Sequence, residues 1–159
     1  MRMLTLFALS ALIGIAACTH PKQEETTSNN GYDSLLAQKL GADDYGMKLY
    51  VFATLKTGPT VITDSAQRAA LMQGHLSNIN RLANKGKLVI AGPYINGGEN
   101  RGLFIFNVET IEEAKALTET DPAVKAGVFR VELTQWYGSA ALMEVNTLHA
   151  KLERKSILN

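Results

Sequence analysis

The stretch MQGHLSNINRLANKGKLVIAGPY, from Met72 to Tyr94, holds a helix, the end of that helix and a strand. Its apolar side chains and His75 recur every three or four residues, which gathers them on one helical face. Gly86 is expected to end the helix, because glycine adopts the left-handed backbone that often follows a last turn. The apolar run Leu88 to Ala91 then predicts a strand that Gly92-Pro93 closes.

The segments before and after this stretch predict further strands. Met47 to Thr57 alternates between two faces as a strand requires, and Asp64 with Gln67 predicts the N-cap of the helix that carries His75. The loop from Asn96 to Asn100 predicts a hairpin that leads into a third strand, Leu103 to Val108.

A second helix and a last strand complete the pattern. Thr110 and Glu113 form a capping box, which predicts a helix from Ile111 to about Glu119. Asp121 before Pro122 predicts a short helical turn, and Gly127 releases the chain into the strand Val128 to Trp136.

The resulting order is strand, helix, strand, strand, helix, strand. With right-handed crossovers both helices lie on one face of a four-stranded sheet, which predicts an α+β fold of the ferredoxin-like type. The other face is expected to be bare and apolar whichever parity each strand takes, so we expect a second copy to cover it in a symmetric homodimer.

The ends of the chain predict an exported, anchored protein. Residues 1–17 have the charged start and apolar run of a signal peptide, and Ile15-Ala16-Ala17-Cys18 resembles the bacterial lipobox, which implies lipidation of Cys18. Polar residues 18–45 predict a disordered tether with room for a short helix near Leu35, Leu36 and Leu40. Residues 46–138 then form the domain, and 139–159 are expected to add a C-terminal helix. Thr19 rather than Asp after the cysteine is compatible with the periplasmic side of the outer membrane, by analogy with enteric sorting. The lipid anchor is the only membrane contact expected.

Composition excludes several classes of function. A net charge of +1 without clustered Lys and Arg gives no sign of a nucleic-acid partner. No group of His, Cys and carboxylates has metal-ligand spacing, and no glycine-rich loop precedes a helix as a phosphate loop would. We therefore expect no cofactor and no metal.

Short motifs between Met47 and Trp136 resemble those of the YCII-related proteins: Met72 to Leu76, Gly86 to Leu88, Ala91 to Pro93, and Asp121-Pro122 with Gly127. The resemblance implies a dimeric α+β barrel, in which two ferredoxin-like units join their bare sheet faces. It also implies a small-molecule enzyme with a His-Asp dyad, which here falls on His75 and Asp121, and relatives that act on lactones and chloroaromatic degradation products. Many members carry acidic residues after the Gly-Pro, where this chain offers only Glu99.

Each candidate residue has a structural and a functional interpretation. An imidazole can give and take a proton near neutral pH, but His75 on an apolar helix face is equally consistent with a packed core ring. Asp121 can orient His75, cap the following turn, or do both. Arg101 can bind an anionic substrate or be a solvated or ion-paired surface residue, and Tyr94 can line a pocket or fill the core. The function expected is acid-base chemistry such as isomerisation, elimination or a lactone reaction; the alternative is a non-catalytic ligand-binding or assembly module.

Overall fold

The computed structural model describes residues 31–156. The predicted signal peptide, Cys18 and the first part of the predicted tether lie outside this range. No helix within the described residues has the length and apolar character needed to cross a membrane. The elements are α1 (Ser34–Leu40), β1 (Met47–Thr57), α2 (Ser65–Asn84), β2 (Leu88–Pro93), β3 (Asn100–Phe106), α3 (Ile111–Thr118), α4 (Pro122–Lys125), β4 (Phe129–Ser139), a 3-10 segment (Ala140–Glu144) and α5 (Val145–Leu152).

The four strands form one antiparallel sheet in the order β2-β3-β1-β4. β1 and β3 form the centre of the sheet, with β4 beside β1 and β2 beside β3, which is the strand order of a ferredoxin-like fold. The predicted α+β topology is therefore confirmed. The predicted caps are also present: the side chains of Asp64, Thr110 and Asp121 each accept a backbone N–H at the start of α2, α3 and α4.

The main core lies between the sheet and the helices α2 and α3. Leu82 of α2 and Ala114 of α3 pack there against the side chains that β1 and β3 direct toward the helices. Burial of this apolar surface is the largest stabilising contribution that the fold offers. The buried members are Val51, Ala53, Leu55, Leu82, Leu88, Phe104, Phe106, Val108 and Ala114.

The opposite face of the sheet is less bare and more polar than the sequence predicts. Tyr50, Val89 and Ile105 are buried there, and Leu142 and Met143 of the 3-10 segment pack against them. The expectation of a fully bare face is therefore wrong. The chain turns back after β4 and covers one part of the face itself, an arrangement that strand alternation alone does not reveal.

Charged side chains occupy another part of that face. Lys56 lies opposite Arg130 in the β1–β4 register, and Lys56 pairs with Glu132 at 2.7 Å. The apolar side chains that remain beyond the 3-10 segment are half-buried Phe52 and Leu103 together with Trp136, which is 39 % exposed. The patch left for a partner is thus smaller than a whole sheet face.

Two short helices frame this side of the molecule. Asn146 of α5 donates its side-chain N–H to the carbonyl oxygen of Leu88 at 2.8 Å, so α5 lies along the edge strand β2. Helix α1 lies inside the stretch expected to be a disordered tether. It contains Leu35, Leu36 and Leu40, the leucines around which a short helix was expected. Its Lys39 pairs with Glu144 of the 3-10 segment at 2.9 Å, and Gly41 ends it with a left-handed backbone.

Candidate functional site

His75 and Asp121, which lie 46 positions apart in the chain, meet where α2 passes the start of α4. Nδ1 of the imidazole lies 2.6 Å from Oδ2 of the carboxylate. Both residues are largely removed from solvent, with His75 7 % exposed and Asp121 1 % exposed. The other carboxylate oxygen, Oδ1, accepts the backbone N–H of Ala123 at 2.8 Å and that of Val124 at 3.4 Å. Asp121 therefore caps α4 and orients the imidazole at the same time.

The surroundings of Asp121 keep its carboxyl ionised. Burial alone would raise its pKa, but the hydrogen bond and charge of His75 oppose that effect, and the two backbone N–H groups add to them. The net result is a pKa below the ordinary value for aspartate. An ionised carboxylate accepts a hydrogen bond, so Nδ1 of His75 carries the proton and donates it.

The second ring nitrogen of His75, Nε2, is left for other chemistry. It makes no hydrogen bond within residues 31–156. Every fully buried side-chain nitrogen or oxygen in that range has a hydrogen-bond partner, so Nε2 is not fully buried. Nε2 is therefore reached from a cavity rather than sealed in the core. Phe104 and Phe129 hold the ring, with centroid distances of 6.0 Å and 5.2 Å.

The cavity beside His75, here called the inner chamber, has a volume of about 280 Å³. Its wall is apolar apart from His75 and Arg101, which suits a small ligand with an apolar body. The lining residues are Leu55, Met72, His75, Leu76, Ile79, Ala91, Gly92, Pro93, Arg101, Gly102, Phe104 and Phe129.

Close packing brings α4 up to α2 beside this chamber. A Cβ atom on Gly74 would lie 2.7 Å from Cγ of Pro122, so glycine is what allows the two elements to approach so closely. Because Pro122 follows Asp121, the same contact sets how near Asp121 comes to His75.

A polar network one turn further along α2, which the sequence did not predict, holds the same segment. One guanidinium nitrogen of Arg81 donates to the side-chain oxygens of Asn78 at 2.6 Å and Thr120 at 2.8 Å. Thr120 immediately precedes Asp121, so this network ties the start of α4 to α2. The sequence feature that could have indicated this network is Asn78, a polar residue three positions after His75 on the same helix face.

The remaining predicted site residues fall into two groups. Arg101 and Tyr94 line a second, more open cavity of about 520 Å³, here called the outer chamber, which adjoins the inner chamber. Glu99 lines neither chamber. Its side chain is 80 % exposed and lies 3.4 Å from Arg130, away from His75. The structure thus brings His75 together with Asp121 but does not bring Glu99 to them.

Within residues 31–156 no three His, Cys, Asp or Glu side chains come together as a metal site would require. His149 lies on α5 and pairs with Glu153 at 3.7 Å, apart from the dyad.

The sequence matches the model of one protein family. The model of the YCII-related domain matches residues 49–137, which is more than half of the chain. No curated protein matches. Among solved structures, the chain is similar to the 5-chloro-2-hydroxyhydroquinone dehydrochlorinase of Burkholderia phenoliruptrix AC1100 in complex with 2,5-dihydroxybenzoquinone. The two are 24 % identical over 56 % of this chain and 93 % of that one, with a TM-score of 0.42.

Proposed function

This chain belongs to the YCII-related domain family, and on that premise we propose that it is an enzyme whose own side chains transfer a proton within a small molecule. The observation that carries the proposal is the contact of 2.6 Å between Nδ1 of His75 and the buried carboxylate of Asp121. A base held in one tautomer beside an apolar cavity is the arrangement that general acid-base catalysis needs.

The proposed reaction follows from the free ring nitrogen. Nε2 of His75 takes a proton from a substrate carbon or oxygen in the inner chamber, and the carboxylate of Asp121 stabilises the imidazolium that forms. The imidazolium then returns the proton to another atom, which is an isomerisation, or to a departing group, which is an elimination. Neither route consumes a second reactant. The opening of a lactone ring is one form of the elimination.

A screen of small metabolites with the purified full chain tests this proposal. Conversion should be lost in His75→Ala and should fall by a factor on the order of 10²–10⁴ in Asp121→Asn, because the amide no longer fixes the tautomer. Ser77→Ala, on the exposed side of α2, is the matched control and should retain full activity. Conversion that survives His75→Ala unchanged would remove the dyad from the mechanism.

One observation favours a second candidate, a protein that binds a small molecule without converting it. No carboxylate lines either chamber, and Glu99 is taken up by Arg130, so His75 is the sole proton-transfer group among the residues that line the inner chamber. Ligands that bind unchanged, with equal affinity for wild type and Asp121→Asn, would support this candidate over the enzyme.

We also propose that the protein is a lipoprotein, anchored through Cys18 on the periplasmic side of the outer membrane. Support comes from the apolar run of residues 1–17 and the lipobox-like Ile15 to Cys18. Cells fed a labelled fatty acid should label the wild type and the control Thr19→Ser. Cys18→Ser should stay unlabelled and retain the signal peptide. Equal absence of label in all three would exclude the anchor.

A homodimer through the helix-free face of the sheet completes the proposal, as the dimeric α+β barrel requires. Phe52, Leu103 and Trp136 form the apolar patch that a second copy would cover. Sedimentation of Phe52→Asp should show a monomer, because an unpaired charge in an apolar interface is costly. Ser77→Asp, on the opposite side of the molecule, should sediment as the wild type does. A wild type that is monomeric at micromolar concentration would contradict the dimer.

A further inference from the structure

The outer chamber adjoins the inner one. Met72, Arg101 and Phe129 line both, so a single molecule can extend from the side of His75 into the outer chamber. The outer chamber is also the more polar of the two in its residue types. Its lining residues are Arg68, Met72, Tyr94, Asn96, Gly97, Gly98, Asn100, Arg101, Val128 and Phe129.

Two cationic side chains, Arg68 and Arg101, line the outer chamber, and no acidic side chain does. Within residues 31–156 neither arginine has a carboxylate within ion-pair distance. Arg130, which lines neither chamber, is instead paired with Glu132 at 2.9 Å and Glu99 at 3.4 Å. Glu99 is the acidic residue nearest to Arg101 in the sequence, and it contacts Arg130 rather than Arg101.

This distribution leaves positive charge at one end of a cavity whose other end is apolar. A guanidinium is always protonated, and its planar set of N–H donors matches the two oxygens of a carboxylate. Such hydrogen bonds are stronger than neutral ones. An anion with an apolar body therefore complements both chambers at once.

We infer that the ligand of this protein is a small carboxylate, with its apolar body in the inner chamber and its carboxylate between Arg68 and Arg101 in the outer one. The inference rests on the proposed function only in taking the inner chamber as the place of reaction. It makes Arg68 and Arg101 residues that determine specificity, whereas His75 acts on the apolar end of the ligand.

Binding of probe compounds to the full chain tests the inference without any need for turnover. The probes are benzoate and cyclohexanecarboxylate, with benzamide as the neutral analogue of the first, titrated into ¹⁵N-labelled protein and followed by NMR. We expect both acids to bind at least tenfold more tightly than benzamide, and to shift the signals of residues in both chambers, including His75.

Matched variants assign the anion to the two arginines. Arg68→Gln and Arg101→Gln should each weaken benzoate binding by a factor on the order of ten, the effect of losing one charge-assisted hydrogen bond, and should leave benzamide binding unchanged. Arg154→Gln removes an arginine that lines neither chamber and should change neither affinity. Added salt should weaken the binding of the acids more than that of the amide.

Two results would overturn the inference: equal affinity for benzoate and benzamide, or benzoate affinity that neither arginine variant reduces. The proposed enzymatic function fails separately. His75→Ala should still bind benzoate with an arginine-dependent preference, because His75 does not hold the carboxylate. Turnover that is indifferent to His75 would refute the proposed mechanism through His75 and leave this inference standing.

Discussion

Gly74→Ala tests whether the contact between α2 and α4 sets the geometry of the dyad. The change adds one methyl group to the helix that carries His75, and that methyl would lie 2.7 Å from Cγ and 3.6 Å from Cβ of Pro122. Carbon atoms pack at about 3.5–4.0 Å, so the proline ring must retreat by roughly 1 Å. A ring held by its own backbone cannot rotate away, so the start of α4 has to move with it.

The expected change in the free energy of unfolding is the difference between two opposing effects. Alanine favours a helix interior over glycine by about 1 kcal/mol, whereas overpacking of this kind costs about 1–3 kcal/mol. We expect a net loss of about 1 kcal/mol. The displacement also moves Asp121, the residue before Pro122, and so lengthens its contact of 2.6 Å with His75.

Urea unfolding and the ¹⁵N signals of the His75 side chain measure the two effects separately. In the wild type the signals should show a proton on Nδ1; in Gly74→Ala part of the population should carry it on Nε2 instead. Ser77→Ala is the control, since it adds helix propensity on the exposed side of α2 without a new contact. A Gly74→Ala protein that is about 1 kcal/mol more stable than wild type, with unchanged His75 signals, would show that the close approach imposes no constraint.

Two further predictions concern the core and the response to acid. Leu82→Ala should lower the free energy of unfolding by about 2–5 kcal/mol, because Leu82 is 1 % exposed, whereas Leu152→Ala, at 80 % exposure, should change it by less than about 0.5 kcal/mol; equal losses would contradict the assigned core. The pKa of Asp121 in the fold lies below its ordinary value of about 3.9, so its carboxylate stabilises the fold above that value and this contribution is lost as the pH falls through the folded pKa. Asp43 and Glu132 also have lowered pKa values, so the effect of Asp121 must be isolated by comparing the wild type with Asp121→Asn. Urea unfolding between about pH 5 and pH 2 should show that the variant loses stability less steeply than the wild type. Parallel curves would contradict the assignment.

Elements with strong local signals were predictable from the sequence. β1 spans the predicted Met47–Thr57, α4 follows Asp121 as its cap required, and Gly86 past the end of α2 has the predicted left-handed backbone, with φ of 66°. Each of these signals acts within a few residues. The ends of β4 were predicted less well, since it begins at Phe129 rather than Val128 and runs to Ser139, beyond the predicted Trp136.

Features set by contacts between distant segments were not predictable. Alternation in β1 shows that Tyr50 and Phe52 share a face, but both faces are apolar, so only the helices and the 3-10 segment decide which side is covered. The same holds for the site. The motifs indicated that His75 and Asp121 form a pair, whereas the capture of Glu99 by Arg130 and the exposure of Arg68 to the outer chamber depend on the three-dimensional arrangement.

The double use of Asp121 has a consequence for how relatives of this chain should be compared. One carboxylate oxygen caps α4 and the other orients the imidazole, so the fold alone gives a reason to keep a capping side chain here. An aspartate at this position is therefore not by itself a sign of catalysis. His75 caps no helix, so on the mechanism proposed above the loss of the histidine, rather than of the aspartate, would mark homologues that no longer carry out the proton transfer.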